Sequence, residues 1–95
     1  MNIKDYCIIY NPISGNGASL PIIKKLAVDL KRYQKSFQII KTEYPGHAQK
    51  ICRRLESYKK IIAVGGDGTF NEIINGIMQN PTKFIVGFMP GGTGN

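Results

Sequence analysis

The sequence predicts an α/β fold, a three-layer α/β/α sandwich built around a mainly parallel sheet. Two observations carry this reading. Four short apolar runs alternate with three runs of helical period, and each apolar run ends in a cluster of Gly, Pro, Asn or Thr. Parallel neighbours need a crossover long enough for a helix, and every connection here is long enough. A third observation places the function. The turn Gly65-Gly66-Asp67-Gly68-Thr69 joins an apolar strand to a helix, where backbone N–H groups collect around an anion.

Taken in order, the first strand is expected over Tyr6 to Tyr10, followed by the loop Asn11-Pro12-Ile13-Ser14-Gly15-Asn16-Gly17. Ile23, Leu26, Ala27 and Leu30 then recur at i, i+3, i+4 and i+7, the stripe of an amphipathic helix. A second strand covers Phe37 to Lys41. After Tyr44-Pro45-Gly46, the positions Ala48, Ile51, Cys52 and Leu55 repeat the helical stripe. The third strand is Ile61 to Val64. In the helix that follows, Phe70, Ile73, Ile74, Ile77 and Met78 form one apolar face, and Asn80-Pro81 stops it. Phe84 to Met89 makes the fourth strand.

At 95 residues and 42% hydrophobic content, the chain suffices for one compact domain. No repeat, low-complexity tract or linker divides it, so residues 1–95 are expected to form a single domain. The chain ends inside Pro90-Gly91-Gly92-Thr93-Gly94-Asn95, where a helix would be expected to start, so the domain is expected to be truncated. With no helix after the last strand, part of a sheet face would stay uncovered, which invites homodimerisation.

Cys7 and Cys52 lack CxxC spacing and His47 is the single histidine, which argues against a disulfide framework or a zinc site. No signal peptide or membrane span is expected, and the default is a reduced, cytoplasmic, soluble chain. Formal charge is +7, and eleven of the thirteen basic residues fall between Lys24 and Lys60. Lys24, Lys25, Lys31, Arg32, Lys50, Arg53 and Arg54 are expected to be the solvated faces of two helices. A functional use of Lys31, Arg32, Arg53 and Arg54 would be salt-sensitive contact with an anionic membrane.

Common nucleotide fingerprints are absent: there is no GxxxxGK[ST], and neither Gly15 nor Gly66 begins a GxGxxG. The loop from Asn11 to Gly17 can present amides and the Ser14 hydroxyl to a phosphate. A carboxylate at the centre of an anion-binding turn would repel the anion unless a metal or a reacting hydroxyl lies between them, so Asp67 points to phosphoryl chemistry. Its bland role is that of a turn former or dipole partner. Thr69 and Glu72 have the spacing of a capping box, which is the expected role of Glu72. Gly91 to Asn95 supplies a second glycine-rich turn on the same edge of the sheet.

Asn11-Pro12-Ile13-Ser14-Gly15, Thr42-Glu43 with His47-Ala48, Gly65-Gly66-Asp67-Gly68-Thr69-Phe70-Asn71-Glu72 and Pro90-Gly91-Gly92-Thr93-Gly94-Asn95 together resemble the catalytic domain of diacylglycerol kinase-like lipid kinases. The central turn alone also resembles that of NAD kinases and phosphofructokinases. The resemblance implies a Rossmann-like fold and an ATP site made by Asn11, Pro12, Ile13, Ser14, Gly15, Thr42, Gly65, Gly66, Asp67, Gly68, Thr69, Phe70, Asn71 and Thr93. It implies Asp67 as the catalytic residue and Mg²⁺ as cofactor, with no metal ligand assigned within this chain. The acceptor would be a lipid hydroxyl such as that of diacylglycerol, met at the inner face of a membrane, and no nucleic-acid partner is implied. A β-rich C-terminal domain, absent here, would supply the rest of the lipid site, the metal ligands and a carboxylate base, so the fragment alone is expected to be inactive. Rival expectations are a kinase of a soluble substrate such as NAD, and a non-catalytic nucleotide-binding or interaction module.

Overall fold

Strands buried on both faces read as continuous apolar runs, and β1 (Lys4–Tyr10) shows why: Cys7 and Ile9 face one layer while Ile8 and Tyr10 face the other. The computed structural model describes residues 4–13, 17–56 and 58–90, with only the backbone of Tyr58 and Lys59. Ser14, Gly15 and Gly91 to Asn95, among them the site candidate Thr93, lie outside the described residues.

The elements that follow are α1 (Ser19–Arg32), β2 (Phe37–Lys41), α2 (His47–Arg53), β3 (Tyr58–Gly65), α3 (Asp67–Met78) and β4 (Ile85–Pro90). All strand pairs are parallel, in the order β2-β1-β3-β4, and Ile8 sits between Ile39 and Ile62. The chain steps outward from β1 to β2, then back across β1 to β3 and β4. Right-handed crossovers therefore carry the helices to opposite faces. α1 covers Ile8, Tyr10 and Val64 with Ile23 and Leu30; Ala48 and Cys52 of α2 and Ile73 of α3 cover Cys7, Ile9, Ile61 and Ala63.

The expected sandwich is present, with differences in detail. α3 begins at Asp67, because extended Gly66 (φ −92°, ψ −173°) is its cap, so Thr69 stands inside the first turn. Phe70, Ile73 and Ile77 face the core, whereas Met78, in the helix's final position, is 78% exposed. Leu55 is buried although α2 has already ended at Arg53. On the α1 side, β4 is left open, with Ile85 and Met89 exposed.

The basic residues named above are all exposed, as solvated helix faces require. Lys31 and Arg32 lie on α1, while Arg53 and Arg54 lie at the end of α2 on the other side of the sheet. No helix among the described residues is long and apolar enough to cross a membrane.

α2 and α3 pack unusually closely. A Cβ added at Gly76 would lie 2.7 Å from Cys52 Cβ and closer still to the Gln49 carbonyl oxygen. Backbone cannot give way as a flexible side chain can. Gly76→Ala should therefore destabilise by about 1–3 kcal/mol, because the crowding outweighs the roughly 1 kcal/mol that alanine gains in helix propensity. Gly68→Ala, in the same helix with open space around it, should be neutral or slightly stabilising; urea unfolding of both variants checks the contrast.

Cys7 and Cys52 are free thiols buried in one core, and burial pushes both up to about 12 from an ordinary value of 9.0. Proton release is easier in the unfolded chain. Their contribution to stability is therefore complete below pH 9 and is lost as pH rises from there toward about 12. Neither thiol should react with a disulfide reagent at pH 8 in the native protein, and both should react once it is unfolded in guanidinium.

Candidate active site

In an open parallel sheet, the loops that diverge where strand order reverses leave a crevice at the carboxyl edge. Here the reversal lies between β1 and β3, which end at Tyr10 and Gly65. A cavity of about 290 Å³ opens on that edge, near the lower end of small-molecule sites. Its first wall is Asn11, Pro12 and Ile13 after β1; its second is Thr42 to Pro45 after β2, with Ala48 of α2. Gly68, Thr69 and Glu72 of α3 close the third side.

Each wall is held by local chemistry. Asn11 Oδ1 accepts the Ile13 N–H at 3.0 Å, an Asx turn that bends the chain away from the strand, and the Ser19 hydroxyl donates to the Asn11 carbonyl at 3.0 Å. Thr42 is buried. Its amide donates to the Tyr10 carbonyl at 2.9 Å and its hydroxyl to the same oxygen at 3.2 Å, which pins the second wall to the first. Asp67 stands exposed in the first turn of α3, where the helix dipole favours a carboxylate.

Glu72 does not close a capping box on its own helix. Its carboxylate accepts the N–H of Gly46 at 3.1 Å and of Ala48 at 3.2 Å, so it caps α2 instead. The two helices lie close enough for this. α2 enters through Gly46 at φ +89°, a backbone state that side chains resist, and has no cap of its own. An acid at a helix start also meets the positive end of the dipole.

Of the residues expected in the site, Asn11, Pro12, Ile13, Thr42, Gly68 and Thr69 line this cavity. Gly65 and Gly66 form the turn that leads into α3, exposed Asp67 immediately precedes the lining pair, and Asn71 is exposed on the helix. Phe70 packs on Phe88 with ring centroids 4.8 Å apart, on the core side. Glu43, Tyr44, Pro45, Ala48 and Glu72 also line the cavity and were not expected there. The available signal for Tyr44 and Pro45 was the turn Tyr44-Pro45-Gly46 on the carboxyl edge, and for Glu43, Ala48 and Glu72 the segments Thr42-Glu43, His47-Ala48 and Gly65 to Glu72 that carry the resemblance. Among the described residues, no group of three His, Cys, Asp or Glu is placed to hold a metal.

Residues 5–95 match the family described as the diacylglycerol kinase catalytic domain. A diacylglycerol kinase of Staphylococcus saprophyticus is 39% identical over 90 residues, which cover 93% of this chain and 30% of that protein. One from Staphylococcus carnosus is 34% identical over 90 residues, covering 93% of this chain and 29% of its own. A crystal structure of a diacylglycerol kinase from Bacillus anthracis superposes with a TM-score of 0.76 at 30% identity, covering 98% of this chain and 35% of that one. The chain thus spans about a third of the length of the relatives it matches.

Removing the Glu72 carboxylate leaves two amides at the start of α2 without their acceptor. Glu72→Ala should cost about 1–3 kcal/mol and speed amide exchange at Gly46 and Ala48 by tenfold or more, while Glu72→Gln, with one acceptor oxygen, should fall between. Denaturant melts and residue-resolved hydrogen exchange give the two readings; unchanged exchange at both amides would contradict the cross-helix cap.

Proposed function

The chain belongs to the diacylglycerol kinase catalytic domain family, and from that membership we propose that it supplies the ATP-binding half of a lipid kinase. The reaction is transfer of the γ-phosphoryl group to a lipid hydroxyl such as that of diacylglycerol. The observation that carries this reading is the convergence of the three post-strand walls on one cavity with Asp67 beside it. ATP lies along these walls, with its phosphates toward the start of α3 and the Asn11 turn. Ser14, Gly15 and Thr93 complete the site in this reading.

In the transfer, the acceptor oxygen forms a bond to the γ-phosphorus as the bond to the β–γ bridging oxygen breaks. ADP leaves, and the hydroxyl proton passes to a base. Most of the acceleration in such reactions comes from positioning and charge neutralisation, which suits rigid loops held by backbone hydrogen bonds. Asp67 alone does not make a protein cage for magnesium. It does suit an ion that arrives on the nucleotide, since Mg²⁺ in such sites keeps waters and uses one or two carboxylates with the phosphates. Mg²⁺ bound there supplies charge neutralisation, and Asp67 is the residue that would meet it, or the water or hydroxyl beside it. Two buried free thiols suit a reducing, cytoplasmic setting, with the lipid met peripherally at a membrane surface.

The test is a chimera in which residues 1–95 replace the matching segment of the Staphylococcus saprophyticus diacylglycerol kinase. It should transfer labelled phosphate from ATP to diacylglycerol vesicles and not to NAD, and Asp67→Asn should lower kcat by roughly 100-fold or more while the fold is retained. The isolated chain should bind ATP without turnover. Transfer to NAD would favour a soluble acceptor, and ATP binding that supports no transfer in the chimera would favour a non-catalytic module.

A further inference from the structure

Two large apolar side chains stand exposed on the walls of the cavity: Ile13 at 80% and Tyr44 at 50%. Single exposed apolar residues need no explanation, but two bordering one cavity mark an apolar end to it. Pro12 and Pro45 lie at the same walls. The other side of the cavity, Gly68, Thr69 and Glu72, belongs to the start of α3 and offers the polar end, with the Glu72 carboxylate already taken up by the Gly46 and Ala48 amides. A ligand that matches both ends is anionic at one and flat and apolar at the other.

Tyr44 is the more informative of the two because its ring is already fixed. It stacks on the His47 imidazole with centroids 4.4 Å apart and planes 16° apart. His47 is held in turn: Nδ1 accepts the Glu43 N–H at 3.0 Å, so the proton of the neutral ring is on Nε2, and its backbone N–H donates to the Tyr44 carbonyl at 3.1 Å. One face of Tyr44 is therefore taken by His47, and half of the side chain remains open. Ordering a tyrosine on binding costs rotamer entropy, and here that ordering precedes the ligand.

We propose that the Tyr44–His47 stack is the platform on which the base of the nucleotide lies, with Ile13 as its aliphatic neighbour in the same cavity. This rests on the reading of the cavity as an ATP site and assigns its base end to residues of the second wall. Tyr44 contributes through its π-face; its hydroxyl is not required.

The experiment measures binding of ATP and of inorganic tripolyphosphate to the chain and to Tyr44→Ala and Tyr44→Phe, by calorimetry and by NMR of the Tyr44 ring and Ile13 methyl protons. Tyr44→Ala should weaken ATP by roughly 5- to 100-fold, the range that loss of one base-stacking ring gives, and leave tripolyphosphate unchanged. Tyr44→Phe should bind both as the parent does. ATP, and not tripolyphosphate, should shift the Tyr44 and Ile13 resonances by ring current. Undiminished ATP binding in Tyr44→Ala, or equal loss of both ligands, would overturn the platform while leaving the ATP reading in place. If the parent chain bound neither ligand, the ATP reading would fail and the platform with it.

Discussion

α2 is seven residues long, too short to hold its helical form alone, and the rest of the site depends on what fixes it. The fixing is done by one stripe of α3. Glu72, Gly76 and Asn80 follow at i, i+4 and i+8, so they share a helix face that runs on past the last turn. Glu72 caps the start of α2, and Asn80 Nδ2 donates to the carbonyls of Cys52 and Leu55 at 2.9 Å each, capping its end. Between them Gly76 allows the two backbones to approach. A helix with no side-chain N-cap of its own receives side-chain partners at both ends from its neighbour, and the second wall of the cavity is set by where α2 begins.

The sheet does the same for the first and third walls. Because β1 and β3 are adjacent and parallel, their ends bring the Asn11 turn and the Gly65 turn side by side, and the Asn11 N–H donates to the Val64 carbonyl at 3.4 Å. Thr42 then ties β2 to β1 one residue beyond the ladder. At the opposite edge, Ser36 and Asp5 exchange hydrogen bonds, with the Asp5 N–H donating to Ser36 Oγ at 2.8 Å and the Ser36 N–H to Asp5 Oδ2 at 3.0 Å. Both ends of the β1–β2 pair are thus closed by side chains, so the loops on the cavity side move against a clamped frame. The two basic helices cover opposite faces of that frame.

Fold and site differ in how far they can be read from the chain. Period and turn residues gave all seven elements, since apolar alternation such as Cys7 to Tyr10 is a local signal. The turns after β1 and β3 likewise gave two of the walls on one edge, as parallel topology requires, whereas the turn expected after β4 lies outside the described residues and the wall after β2 was foreshadowed only by Thr42. What escaped was every feature set by a contact between elements. Thr69 and Glu72 have the local spacing of a capping box, but local spacing cannot report that α2 lies near enough to take the carboxylate. Met78 fits the apolar period of α3, yet its exposure depends on where the neighbouring elements stop. Tyr44 followed by Pro45-Gly46 is ordinary turn chemistry until the His47 ring is seen stacked on it.

Asp67 is where the local and the spatial readings meet. A carboxylate in the first turn of a helix gains about 0.3–1 kcal/mol from the dipole, which is reason enough for an acid there. Gly68 and Thr69 line the cavity while exposed Asp67 precedes them by a single step. Under the kinase reading, that offset keeps the carboxylate off the path along which the phosphates lie and presents it to whatever approaches their terminal end. The glycines on either side leave that approach open, since no other side chain in the turn from Gly65 to Gly68 competes for the space.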